Sequence, residues 1–419
     1  MRGVRASILM GGVLVAVLVA MRLVRTDDSL QPEALTNGMT EDKASVPPIS
    51  RSAPAQGPPR SGIRASDHGT AGGQTSTDTQ LAGSDVISGE YVLHFYDEQD
   101  RQAFEAVARR LGVRIIDTLT FSHAIRIRVR SSDQLRELLD KGPTPTDWMP
   151  NRYVRSPEPE DGNTPLPPEA GYQAFGNQTL AWLGIGENAT WGSGITVGIL
   201  DTGVARSLRN GIARLDLVGE SSTVATHGTA VASLIVGDDA SLQGIAPDAD
   251  LLSIKVLSDE GIGDAFTLAK GIIEAVDRGA RVLTCSLGSR GDSSILSEAV
   301  RYAMARDVVL VAAAGNGAVS GVLYPARYEG VIAVAAVDAA GRHLYFSNRG
   351  TEVSLAAPGA GVMAAHPEGF PISFTGTSAA VPLVAGTVAA LLSQNATLTP
   401  DDVRSLLTRY SNDAGAPGR

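Results

Sequence analysis

One cysteine, Cys285, stands in a chain of 419 residues. An intramolecular disulfide is therefore excluded, and so is a cysteine-rich metal site. The compartment stays open, because exported bacterial proteins often do without disulfides, as cytosolic ones do. A basic excess is missing as well: 35 Lys and Arg stand against 45 Asp and Glu, a formal net charge of −10. No nucleic-acid partner is expected on that balance, and the acidity speaks mainly to solubility. No internal repeat is present. What is there is ordinary for a globular protein, with 43% hydrophobic and 19% charged residues, and the length allows a large domain plus a small one or long unstructured stretches.

Arg2 and Arg5 precede an uncharged run from Ala6 to Met21, and Arg22 follows it. A basic start before an apolar core is the pattern of an export signal. The run is short for a comfortable membrane span, yet no small-x-small cleavage site stands out, since Leu18-Val19-Ala20 puts Leu where a small residue is wanted. Residues 1–25 are therefore read as a signal peptide or signal anchor, with membrane anchoring through residues 6–21 favoured over cleavage. The product is exported, either anchored facing the periplasm or outside, or secreted. Residues 26–88 are rich in Ser, Thr, Pro, Gly, Asp and Gln and cannot bury enough apolar surface to offset ordering entropy, so they are assigned as a disordered linker.

From residue 89 to 155 the pattern is β-α-β-β-α-β. Tyr91 to Tyr96 reads as a strand. Phe104, Val107, Ala108 and Leu111 form one helical stripe closed by Gly112, and Val113 to Ile116 resumes as a strand. Ile125, Ile127 and Val129 alternate with Arg126, Arg128 and Arg130, which predicts one buried and one solvated face. Ser131 and Gln134 resemble a capping box before Leu135, Leu138 and Leu139, and Trp148 to Val154 closes the unit. This is a small α+β split βαβ, ferredoxin-like domain. A linker, 156–178, separates it from 179–419. There Ile195–Leu200, Leu251–Leu257, Val282–Ser286, Val308–Ala313 and Val331–Val337 are near-continuous apolar runs, with helical periodicity between them. The fold class expected is α/β, a mostly parallel sheet with helices on both faces.

Four short segments carry chemistry. Asp201 ends the first of these strands, where ligands gather in open parallel sheets, although an Asp followed by Thr-Gly is also a plain turn signal. His227 opens an apolar helical stretch, and Gly228 after it permits close approach of another chain. Alone, such a histidine is more often structural or simply exposed than catalytic. Ser378 stands in Gly376-Thr-Ser at a helix start, where free amides and the helix dipole favour developing negative charge; it also reads as a cap. Pro382 is placed in the first turn, where a missing N–H costs little. Asn316, before Gly317 at the end of a buried strand, is either a turn or a donor to an oxyanion. Jointly they supply an orienting carboxylate, a base, a hydroxyl nucleophile and an amide.

The order Asp201-Thr-Gly, His227-Gly-Thr, Gly244-Ile-Ala-Pro247, Ser286-Leu-Gly288, Ala314-Gly-Asn316 and Gly376-Thr-Ser-Ala-Ala-Val-Pro382 resembles the subtilisin-like serine proteases over about Ala181 to Asn412. The resemblance implies a serine endopeptidase with Ser378 as nucleophile, His227 as base, Asp201 holding the imidazole, and an oxyanion hole from Asn316 and the Ser378 N–H. It implies substrate strands pairing with Ser286, Leu287 and Gly288 and, opposite, with Gly261 and Gly263. Ala312, Ala313, Ala314 and Gly315 would wall an open, mostly apolar side-chain pocket without an acidic residue. Residues 89–155 look like the inhibitory propeptide of such enzymes, so the partners implied are polypeptide substrates and the chain's own propeptide domain, with self-processing between Arg155 and Gln178.

Departures from the family pattern stand beside the matches. Thr226 replaces a usual Gly, Ala230 replaces a frequent second His, and the chain stops at Arg419 where relatives continue. No cofactor is required for the chemistry, and a short Gly237–Gly244 loop weakens the case for structural calcium. A catalytically inactive binding module on the same fold is the alternative. A sedolisin-like peptidase is disfavoured by His227, and an α/β-hydrolase by the absence of Gly-x-Ser-x-Gly around Ser378.

Overall fold

Strand Val86–His94 opens the ordered N-terminal region in the computed structural model, which describes residues 85–157, 171–185, 191–219, 225–237 and 242–411, with backbone alone at 24–25 and 412–413. The export segment at 6–21, most of the 26–88 tract and residues 158–170 of the linker lie outside the described residues. Order begins ahead of residue 89 because Val86 pairs with Arg152 and Tyr153 N donates to Asp85 O at 2.7 Å.

The N-terminal unit runs strand Val86–His94, helix Glu98–Arg110, strands Arg114–Leu119 and Ala124–Arg128, helix Ser132–Lys141 and strand Asp147–Arg155. All its strand pairs are antiparallel. One face packs on the two helices through Leu93, Phe104, Ile125, Ile127 and Leu138, each wholly buried. At roughly 1.5–3 kcal/mol per buried side chain, this small core carries the unit. Ser131 caps its helix by accepting from Gln134 N, but Gln134 Oε1 takes Arg130 N, not the cap's own amide, so the box is closed one residue early.

The arginine face is divided: Arg128 and Arg130 are exposed as the alternation predicts, while Arg126 is half-buried. Arg126 Nη1 lies 2.8 Å from Asp264 Oδ2, and Glu90, only 1% exposed, pairs with Arg126 and Arg128. Asn151 Nδ2 donates to both Glu90 at 3.1 Å and Asp264 at 3.0 Å. Burial opposes the Glu90 charge, yet Arg126, Asn151 and Arg128 together hold its carboxyl below the ordinary range. Arg126 and Asn151 thus turn part of the polar face into a docking face, satisfied by Glu90 of the same unit and by Asp264 and Thr267 of the large domain.

The large domain is built on a nine-stranded sheet. Its central strands, Thr196–Asp201, Asp250–Lys255, Val282–Cys285, Val309–Ala313, Ile332–Val337 and Val353–Pro358, are parallel. Alternate residues enter opposite cores: Val309, Val311 and Ala313 on one face, Leu310 and Ala312 on the other. Both faces being covered explains why these runs lack polar alternation. A two-residue strand, Val24–Arg25, lies at one edge between Val353–Pro358 and Asn412–Asp413. Helix Thr377–Gln394 crosses one face and is apolar all round because protein covers it along nearly its whole length. Gly386 allows that packing, since a Cβ there would stand 2.9 Å from Ile245 Cβ.

The two sheets meet. Strand Asp147–Arg155 pairs antiparallel with Ile262–Asp264 of the large domain, extending the N-terminal sheet to five strands. That junction leads the chain directly to the carboxyl ends of the parallel strands.

Candidate active site

Asp201 ends its strand wholly buried, and its Oδ1 accepts Thr202 N at 2.7 Å. His227 starts the helix Thr226–Val236, and its Nδ1 faces both carboxylate oxygens of Asp201, at 2.8 and 2.9 Å. Gly228 makes this approach feasible, because a Cβ would stand 2.0 Å from Gly203 O and 3.2 Å from Asp201 Cβ. Phe374 meets the imidazole edge-on with centroids 5.4 Å apart. With one ring nitrogen held by a buried carboxylate, the other is the nitrogen that can take a proton from a neighbour.

Ser378 is the second residue of helix Thr377–Gln394, 2% exposed, with its Oγ lacking a hydrogen-bond partner. A buried hydroxyl without a partner calls for explanation, and a reactive role is one. Pro382 is the sixth residue of this helix, not part of the first turn. Its missing N–H would have served the Ser378 carbonyl, and the Ser286 hydroxyl donates there instead, at 3.1 Å. Ser286 and Leu287 are otherwise core residues with no exposed surface.

Asn316 follows Gly315, whose φ of +108° turns the chain out of its strand. The Asn316 Oδ1 accepts from Thr377 N at 3.0 Å and Thr377 Oγ1 at 2.9 Å. Those bonds turn the Nδ2 group toward the cleft, where it donates to the Pro157 carbonyl.

The N-terminal unit's tail fills this cleft. Arg155 and Gly288 exchange backbone hydrogen bonds of 2.9 and 2.8 Å, Ser156 N donates to Gly261 O at 2.9 Å, and Val154 pairs with Gly263. Ser156 Oγ lies 2.8 Å from His227 Nε2. One dipeptide, Ser156-Pro157, therefore touches His227 at one end and Asn316 at the other, with Asn316 bonded to the residue before Ser378. The edges formed by Gly261–Gly263 and by Gly288 hold the tail as a middle strand.

The expected pocket residues are covered while the tail is docked. Ala312, Ala313 and Ala314 have no exposed surface and belong to the two cores. The cleft at Pro157, about 820 Å³, is lined by Gly288, Asn316, Gly317 and Leu323, among others. Leu323 also lines it, and its side chain lies against both Gly288 and Gly315. Sequence reasoning missed Leu323, Ser156 and Pro157; the tail's direct continuation from a strand ending at Arg155 was the available signal. Cys285, fully buried beside these residues, has its thiol pushed up to about 12, by burial and then by the Asp201 charge, so it is inert at neutral pH. Part of the loop weighed for calcium, residues 238–241, lies outside the described residues.

The sequence profile described as the Subtilase family matches residues 192–419, more than half of the chain. The chain belongs to the subtilase family. This subtilase is 38% identical over 239 residues to subtilisin DY of Bacillus licheniformis, covering 54% of this chain and 86% of that protein. It is 37% identical over 238 residues to a thermostable alkaline protease of Halalkalibacterium halodurans, covering 54% of this chain and spanning 64% of that one. Among solved structures, fervidolysin from Fervidobacterium pennivorans shares the fold with a TM-score of 0.64 at 24% identity, over 76% of this subtilase and 57% of that chain. The matched region is thus a serine-type endopeptidase domain.

Proposed function

We propose that the whole chain is an exported serine endopeptidase, described here in its precursor arrangement, which cleaves itself between Pro157 and Glu158. The observation carrying this reading is the bond from Asn316 Nδ2 to the Pro157 carbonyl, made while Arg155 is paired with Gly288. A carbonyl oxygen held by a fixed amide donor beside a helix N-terminus is where negative charge is best tolerated.

Ser378 Oγ attacks the Pro157 carbonyl carbon as its proton passes to His227 Nε2, and the carbonyl electron pair moves onto oxygen. Asn316 Nδ2 and the Ser378 N–H hold that oxyanion, while Asp201 keeps Nδ1 protonated and stabilises the imidazolium. Collapse breaks the C–N bond, and the new amine at Glu158 takes the proton from His227. Water then attacks the acyl ester, again giving its proton to His227, which returns it to Ser378 as a carboxylic acid forms at Pro157. Every bond and proton is accounted for by side chains and water, so no metal or cofactor enters the scheme.

The cut leaves residues 85–157 docked as a product that blocks the cleft, and other polypeptides are substrates once it leaves. Arg2, Arg5 and the apolar run from Ala6 to Met21 support export with an anchor. N-terminal sequencing of protein made in a protease-free host tests the reading: Glu158 as a new first residue is expected, and none in Ser378→Ala. Normal maturation of Ser378→Ala would remove self-cleavage from the account.

A further inference from the structure

We infer that Leu323 limits the side chain accepted just before the cleaved bond, admitting small residues such as Pro157 and excluding large ones. The inference rests on the peptidase reading above and concerns the size of that site. Gly288, which lines the cleft with Pro157, and Gly315, which precedes Asn316, carry no side chain, so the space between them would be open if nothing else entered it. Leu323 enters it. A Cβ on Gly288 would lie 2.6 Å from Leu323 Cβ and 2.9 Å from Cδ1, and one on Gly315 would lie 2.8 Å from Cγ and 2.9 Å from the same Cδ1. One leucine methyl therefore abuts both walls at once.

The backbone under Leu323 is fixed. Leu323 N donates to Ala314 O at 3.0 Å, Arg327 N to Leu323 O at 2.9 Å, and Tyr324 and Ser289 exchange two bonds of 2.8 Å. A large residue in place of Pro157 would have to displace the leucine side chain without help from the main chain. The cleft of about 820 Å³ is lined by Pro157 and Leu323 together with Asp85, Arg290, Tyr345 and Phe346, so its volume belongs to the whole groove and not to this one site. Pro157, compact and buried, fills what is left.

The test uses the self-processed protein and nitroanilide peptides Val-Arg-Ser-X with X as Ala, Leu or Phe. Wild type should favour Ala over Phe in kcat/KM by tenfold or more, since one surplus methylene in a closed apolar pocket is worth roughly 10–200-fold. In Leu323→Ala the Phe-to-Ala ratio should rise at least fivefold; a smaller rise, or a wild type that prefers Phe, overturns the inference. The ratio is taken on one preparation, so incomplete folding cancels. Should that variant fail to mature, the full chain decides: Pro157→Phe should slow self-cleavage at least fivefold in wild type and less than twofold with Leu323→Val, and equal slowing in both overturns it. A wild type that cleaves neither itself nor any peptide would sink the peptidase reading, and this inference with it.

Discussion

Ser156 Oγ lies 2.8 Å from His227 Nε2, on the side of the ring opposite Asp201, while Ser378 Oγ has no hydrogen-bond partner. The imidazole is clamped between a carboxylate and the hydroxyl of the very segment to be cut. For Ser378 to pass its proton to Nε2 as proposed, Ser156 must first yield that nitrogen, so the contact would restrain self-cleavage. Ser156→Ala is expected to speed self-cleavage roughly 3- to 10-fold, the worth of one net hydrogen bond of about 0.5–1.5 kcal/mol. Single-turnover appearance of the processed chain reads this directly. Slower processing in Ser156→Ala would mean that the hydroxyl aligns the substrate and does not restrain the base.

Asn316 is oriented before any charge develops. Its Oδ1 is tied to Thr377 N and Oγ1, so Nδ2 needs no reorganisation to meet the oxyanion. Asn316→Ala should lower kcat by roughly 10²–10³ with little change in KM. That magnitude is the one known for the matching residue of subtilisin itself; only the direction follows from the geometry here. Thr377→Val, which keeps the N–H bond and removes the hydroxyl, should cost far less. Steady-state kinetics on one peptide separate the two.

Acid should loosen the N-terminal unit. His94 is buried against the large domain, with Nε2 3.2 Å from Ser294 Oγ and Nδ1 3.5 Å from Glu298, and burial lowers its pKa from 6.5 despite the opposing pull of Glu298 and Asp147. The undocked histidine takes up a proton at higher pH than the docked one. Docking strength is therefore complete above about pH 6.5 and declines as pH falls toward the docked value, by at most about tenfold per pH unit for one group. Against the opposing effect of burial, Arg126, Asn151 and Arg128 of its own unit depress the Glu90 carboxyl. Its contribution, present above the ordinary 4.5 and lost as pH falls below it, is therefore to the fold of that unit and not to docking. Release of the processed N-terminal fragment between pH 7.5 and 5 measures docking, and His94→Gln should flatten the upper part of the curve.

The sequence made much of the site legible because its residues stand at strand ends and helix starts, which local signals mark. Asp201 closes an apolar run, His227 and Ser378 open helices, and Gly228 announces a close approach. What it left unread depends on docking. Alternation showed that Arg126 and Arg128 share a face but not that Asp264 and Glu90 wait there, since nothing local couples positions so far apart. Leu323 is invisible for the same reason: it reaches the cleft only because Gly288 and Gly315, from different strands, leave room. For Ala312–Ala314 a fully covered strand and a small-residue pocket wall look alike in sequence, and with the tail docked all three are wholly covered.

Pro382 was also placed too near its helix start, and its true depth gives a test independent of catalysis. Without an amide at position 382, the Ser378 carbonyl depends on the Ser286 hydroxyl, at 3.1 Å. Ser286→Ala should leave that buried carbonyl unpaired and cost about 1–3 kcal/mol. Pro382→Ala returns an N–H to the i→i−4 ladder, so the same Ser286→Ala change made on that background should cost well under 1 kcal/mol. The cycle is best run in Ser378→Ala protein, which keeps the carbonyl and prevents self-digestion, with thermal unfolding as the readout at about 2–4 °C per kcal/mol. A coupling near zero would show that the serine hydroxyl and the missing proline amide are unrelated.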